Sequence, residues 1–208
     1  MSFTRKLALF GTTALLLAGC GAEDVSTEDE DESTEPDTEE VAEESESVSE
    51  GEYKVGDTLE ADGGTSEVVA VNYGINETVE NGDFTVTLKD ARLLQFEPSP
   101  EFVDMFEDES LPMIAFNIDV TNNSDATNTI YPDQGVAVTD TGQQIDAELL
   151  FSDDVGGDFL GQVTKSGEVL FLGEGDASEI SNVRYIIGSG HDEELESFGE
   201  DIEFTVDF

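Results

Sequence analysis

Pro112-Met113-Ile114-Ala115-Phe116-Asn117-Ile118-Asp119-Val120-Thr121 is the run that decides the fold. Ile114, Phe116, Ile118 and Val120 alternate with Ala115, Asn117, Asp119 and Thr121. A period of two puts the first set on one face of a β-strand and the second on the other. Asn122-Asn123-Ser124-Asp125 then reads as a turn. Upstream, Phe84, Val86 and Leu88 alternate with Thr85, Thr87 and Lys89, and the same parity resumes at Leu94 and Phe96. Asp90 and Arg92 interrupt it, which suits a bulge or a bend.

Further strands are predicted at short intervals in both directions. Glu67–Tyr73 precedes the pair above, with Val55–Glu60 and Ile75–Glu80 as two looser edge segments. Downstream, Thr129–Tyr131 stops at Pro132, and Val136 and Val138 lead into the turn Asp140-Thr141-Gly142. Ile145, Ala147 and Leu149 alternate with polar neighbours, while Val169-Leu170-Phe171-Leu172 suits a strand buried on both faces. Val183, Tyr185 and Ile187 form another strand, and Ile202, Phe204, Val206 and Phe208 the last. Pro100–Glu107 and Asp192–Phe198 read as short helical turns in connections. Short strands separated by turn signals predict an all-β, antiparallel β-sandwich over residues 53–208.

A family resemblance gathers on these blocks. Tyr73–Gly82 leading into Phe84-Thr85-Val86-Thr87-Leu88, then Ile118-Asp119-Val120-Thr121-Asn122-Asn123-Ser124, resembles bacterial surface lipoproteins with a telokin-like, immunoglobulin-type domain of unknown function. Val138–Gln143 and Ser166–Phe171 are similar to two further blocks of that pattern, so the resemblance runs from Tyr73 to Ile187. It departs at Gly173-Glu174-Gly175, where the family often has a proline. The resemblance implies an immunoglobulin-like sandwich at the cell surface and brings no active residues with it.

The N-terminus agrees with that location. Arg5 and Lys6 precede an apolar run, Leu7–Leu17, and small residues follow. Eleven residues make a helix of about 16 Å, against a hydrocarbon core of about 30 Å. The pattern is that of a secretory signal peptide over residues 1–19. Leu17-Ala18-Gly19-Cys20 resembles the lipobox of bacterial lipoproteins. That resemblance implies cleavage after Gly19 and a diacylglyceryl group on the Cys20 thiol, whose two acyl chains hold a membrane stably where one does so only marginally. Cys20 is the only cysteine, so the domain has neither a disulfide nor a thiolate metal site.

Residues 21–52 carry sixteen acidic side chains and no basic one. With no apolar periodicity to offset the entropy of ordering, residues 20–52 are expected to be a lipidated cysteine followed by a disordered acidic linker. The chain as a whole carries a net charge of -44. Residues 53–208 hold 35 acidic against five basic side chains, a balance of -30. Such a surface repels itself in dilute buffer and much less in molar salt, which predicts a salt-adapted, halophilic source. Nucleic acid and anionic lipid are poor partners for it.

Chemistry is sparse by comparison. His191, the only histidine, sits in the glycine-bounded stretch Ser189-Gly190-His191-Asp192, expected to be a solvated loop. No phosphate-binding glycine loop, zinc pattern or dinucleotide fingerprint is present. Paired carboxylates are too many for any pair to mark a glycosidase. Asp153, Asp154 and Asp158 flank Gly156-Gly157 and offer a possible Ca²⁺ loop, without the spacing of an EF-hand. The expectation is therefore a non-enzymatic binding module, lipid-anchored at the extracellular face of the cell membrane, with an envelope component or extracellular protein as partner. A calcium-binding protein and a carboxylate-dependent hydrolase are the alternatives.

Overall fold

The computed structural model describes residues 52–61, 63–106 and 108–208. The segments expected to be the leader, with Gly19, and the lipidated Cys20 and acidic linker as far as Gly51 lie outside them. In chain order the strands are β1 (Thr58–Ala61), β2 (Gly64–Asn72), β3 (Glu77–Asn81), β4 (Phe84–Pro98), β5 (Leu111–Asn122), β6 (Thr127–Ile130) and β7 (Val136–Thr139). They continue with β8 (Gln144–Asp146), β9 (Gly157–Leu160), β10 (Thr164–Leu172), β11 (Asn182–Ile187), β12 (Gly190–Asp192), β13 (Ser197–Phe198) and β14 (Ile202–Asp207). The 3₁₀ turns at Val103–Met105, Pro132–Gln134 and Ala177–Glu179 are the helical segments among the described residues.

All the strands pair antiparallel, in three sheets. The largest runs β1-β2-β4-β5-β10, a second β14-β11-β7-β8 and a third β13-β12-β6-β9. β4 is the spine of the first. Its opening half pairs with β3, from Asn81 opposite Phe84 to Glu77 opposite Leu88. Its closing half pairs with β2, from Asn72 opposite Ala91 to Gly64 opposite Pro98. One face of this sheet packs on the other two. Phe84, Val86, Leu88, Ile114, Phe116 and Ile118 share a single buried cluster with Ile130, Phe159, Tyr185 and Phe204. Two apolar faces closed on one another make a sandwich-like all-β fold, as the alternation in β5 predicts.

The bulge in β4 falls between Leu88 and Asp90, where Leu88 pairs with Ile118 and Asp90 with Asn117. Lys89 is the extra residue, and its effect on parity corrects the reading of Leu94 and Phe96. One inserted residue moves every later side chain to the opposite face. Ala91 and Leu93 therefore continue the sandwich core, while Leu94 and Phe96 point outward into a separate cluster with Val68, Leu111, Met113 and Ala115.

Other segments also differ from expectation. Asp192–Phe198 is a hairpin between β12 and β13 rather than a helical turn, and His191 lies in β12 opposite Thr129 rather than in a loop. Along β7 the buried residues are Ala137 and Thr139, with Val136 and Val138 only half-buried. The strand at Ile145 ends at Asp146, so Leu149 stands exposed in the following turn.

Candidate functional site

The outward face of the first sheet is graded along its strands, and the register gives the order. Asp90, Asn117 and Glu168 form one cross-strand row; Arg92, Ala115 and Leu170 form the next; Leu94, Met113 and Leu172 form the third. Polar groups thus give way to apolar ones over a few residues of β4. All of these but Leu172 line an open trough of about 1200 Å³, walled by Tyr53, β1, Phe151 and Asp153. The volume exceeds the roughly 300–1,000 Å³ of ordinary small-ligand pockets.

Each end of the trough has its own construction. At the polar end Arg92 reaches over small Ala115 to pair with Glu168, and its guanidinium carbon lies 5.0 Å from the Tyr53 ring centroid. Lys89 Nζ is 2.8 Å from Asp119 Oδ1. Burial pushes Asp119 up, but hydrogen bonds from Lys89 and Ser166 and the charge on Lys89 outweigh it and hold the carboxyl below its usual range. At the apolar end Phe96 meets Phe106 and Phe151 edge-on, each with centroids 6.2 Å apart. A Cβ on Gly63, in the β1–β2 turn, would stand 3.2 Å from the Phe151 ring. The β1–β2 turn therefore packs close to the Phe151 ring at that end.

The three aspartates read as a possible Ca²⁺ loop do not converge. Asp153 Oδ2 accepts the Glu168 N–H at 2.8 Å, and Asp158 Oδ1 accepts the Thr129 hydroxyl at 2.7 Å. Asp154 is exposed, 3.7 Å from Lys165 Nζ. Among the described residues no group of three or more His, Cys, Asp or Glu side chains is placed to hold a metal. His191 Nδ1 lies 2.9 Å from the Asp192 carbonyl oxygen, its ring beside Tyr131.

Against Gly156, in the same stretch as the three aspartates, lies a buried carboxyl that no sequence pattern singles out. Asp133, in the turn Pro132–Gln134, is buried, and its Oδ1 has no hydrogen-bond partner. Burial raises its pKa and the charge of Asp154 adds to that, against backbone hydrogen bonds and the charge of Lys165. The folded state therefore holds the Asp133 proton more tightly than the unfolded chain. The stability this confers is complete below the unfolded value near about 3.9 and is lost as pH rises through the folded one. Asp133→Asn, which keeps the site neutral, should raise the melting temperature at neutral pH, with the gain vanishing near pH 4. A variant that melts lower than wild type at neutral pH would refute this.

Two unbroken apolar runs could have exposed the trough floor in advance. Leu93-Leu94 in β4 and Met113-Ile114-Ala115-Phe116 in β5 are apolar on both parities, the mark of a sheet covered on both faces.

The chain is 31% identical over 159 residues to the SPbeta prophage-derived uncharacterized lipoprotein YonS of Bacillus subtilis, a match covering 75% of this chain and 72% of YonS. The chain belongs to this lipoprotein's family. It is also 26% identical over 125 residues to the uncharacterized protein YdhF of the same organism, covering 58% of this chain and 52% of YdhF. Among solved structures, a functionally unknown protein from Listeria monocytogenes EGD-e superposes with a TM-score of 0.52 at 13% identity, over 70% of this chain and 88% of that one. That likeness shows a shared fold and nothing about activity. No protein-family model matches the chain.

Proposed function

We propose that this chain is a non-enzymatic binding module of the cell envelope, held at the extracellular face of the membrane by lipid on Cys20, with the graded trough as its ligand site. The observation that carries the reading is the change from paired charges to an apolar floor along the outward face of the first sheet, within the trough. Leu94 and Met113 are buried in a second apolar cluster on that face, and with half-buried Leu170 they floor the apolar end of the trough. The telokin-like, immunoglobulin-type assignment belongs to the same reading and rests on the strand blocks from Tyr73 to Ile187.

Electrostatics favour binding over catalysis. A general acid or base works best with a pKa near the operating pH. Asp119, under the polar end of the trough, is shifted the other way. Asp133, which is raised, is buried and is not among the residues lining the trough.

The anchor follows from the lipobox at Leu17–Cys20 and from kinship with a lipoprotein. Among the described residues no helix is long and apolar enough to cross a membrane. Mass spectrometry of the protein taken from membranes should find Cys20 as the first residue, carrying a diacylglyceryl group. Cys20→Ser should leave the membrane fraction. A serine variant that still sediments with vesicles, or a mature protein with a free thiol, would defeat the anchoring.

A further inference from the structure

We propose that the occupant of the trough is an extended peptide segment bearing both basic and apolar side chains, supplied by another exported protein. The inference deepens the binding reading above and rests on it. Two observations, one on charge and one on backbone, carry it independently.

Charge selects the sign of the ligand. Five carboxylates line the trough (Glu52, Glu60, Asp90, Asp153 and Glu168) against two cations, Lys89 and Arg92. Both cations are already occupied, Lys89 by Asp119 and Arg92 by Glu168. Glu60 stands exposed on the rim, and Asp90 and Asp153 accept backbone N–H groups. An anionic headgroup entering here would meet net negative charge with no free cation among the described lining residues. The stretch 21–51, with fifteen acidic side chains and no basic one, has the wrong sign of charge for a ligand of such a site. A Lys or Arg side chain finds carboxylates at the rim and polar end, while apolar neighbours reach Leu94, Met113 and Leu170.

Backbone selects an extended chain. Thr58, Leu59, Glu60 and Ala61 all line the trough. Leu59 and Ala61, opposite Ser66 and Gly64, stand on the trough face, and β1 closes the sheet on that side. It is the terminal strand of its sheet, paired to β2 on one side and, among the described residues, to no strand on the other. A free strand edge offers main-chain donors and acceptors at the spacing of another extended chain, the mode of recognition called strand addition. A small amphiphile would use the floor and leave that edge unpaired.

The test uses the full chain in phosphatidylcholine nanodiscs, in half-molar NaCl, with empty nanodiscs as the blank. Two fluorescent, end-blocked octapeptides serve as probes, one alternating Lys with Leu and the other Glu with Leu. Saturable binding of the Lys/Leu peptide is expected, at least about tenfold tighter than the Glu/Leu peptide. Hydrogen exchange at Thr58–Ala61 should slow when it binds. Glu60→Lys, a change at an exposed position that leaves the core untouched, should weaken it about tenfold. Equal affinity for both probes, or binding without protection of β1, would overturn the peptide assignment while leaving the trough as the site. No saturable binding of either probe would overturn both.

Discussion

Phe116→Ala is expected to remove about 3–5 kcal/mol of folding free energy, the usual cost of deleting a core phenylalanine. Phe116 is fully buried at the centre of β5. Its ring lies nearly parallel to that of Tyr185 in β11, centroids 4.9 Å apart, and edge-on to Phe171 in β10 at 5.7 Å. It is thus the point at which the first sheet meets the second. Tyr185 has little freedom to fill the space, because its hydroxyl donates to the Pro132 carbonyl at 2.6 Å in a buried site. A cavity that cannot collapse costs the most. Domains of this kind hold only about 5–15 kcal/mol in all, so the variant should sit near the edge of folding. The measurement is a denaturant midpoint in molar NaCl, with exposed Leu195→Ala as a control that should move it little. A loss below about 1 kcal/mol, within the range of ordinary surface changes, would mean the sheets do not pack through this ring.

How legible such contacts are in the sequence depends on the strand. β14 alternates throughout and β5 from Phe116 onward, and a strand with that many repeats shows which of its faces is buried. The third sheet offered no such signal. β12 and β13 are three and two residues long, and β9, with Gly157 at its head, is four. β9 and β12 pair with the two edges of β6, and β13 with β12, a tertiary reason invisible in their own residues. The trough was hidden by a different cause. The bulge at Lys89 was anticipated as an interruption, but its consequence is a change of face, which assigned Leu94 and Phe96 to the wrong side. The stacking of Tyr53 on Arg92 and the contact of Gly63 with Phe151 join residues far apart in the chain, and composition could not bring them together.

Salt should move the melting temperature more than any surface substitution. Residues 53–208 have five basic side chains, and four of them sit in ion pairs: Lys89 with Asp119, Arg92 with Glu168, Lys165 with Asp154 and Arg184 with Glu203. Four carboxylates of 35 are thereby matched, and most of the others face solvent. Two like charges about 10 Å apart in water repel by about 0.4 kcal/mol. Over a surface this dense the total reaches several kcal/mol, part of which the expanded unfolded chain escapes. At about 0.1 M salt the Debye length is about 10 Å and such neighbours still interact; at about 1 M it is about 3 Å and they do not. Each kcal/mol recovered is worth about 2–4 °C in a domain of this size. A rise of at least about 10 °C between dilute buffer and molar NaCl is therefore expected. Choline chloride should serve nearly as well at equal ionic strength, because screening depends on ionic strength rather than on a bound sodium. A melting temperature that stays flat across the range would show that the acidic surface does not strain the fold, and would remove the reason for assigning a salt-adapted source.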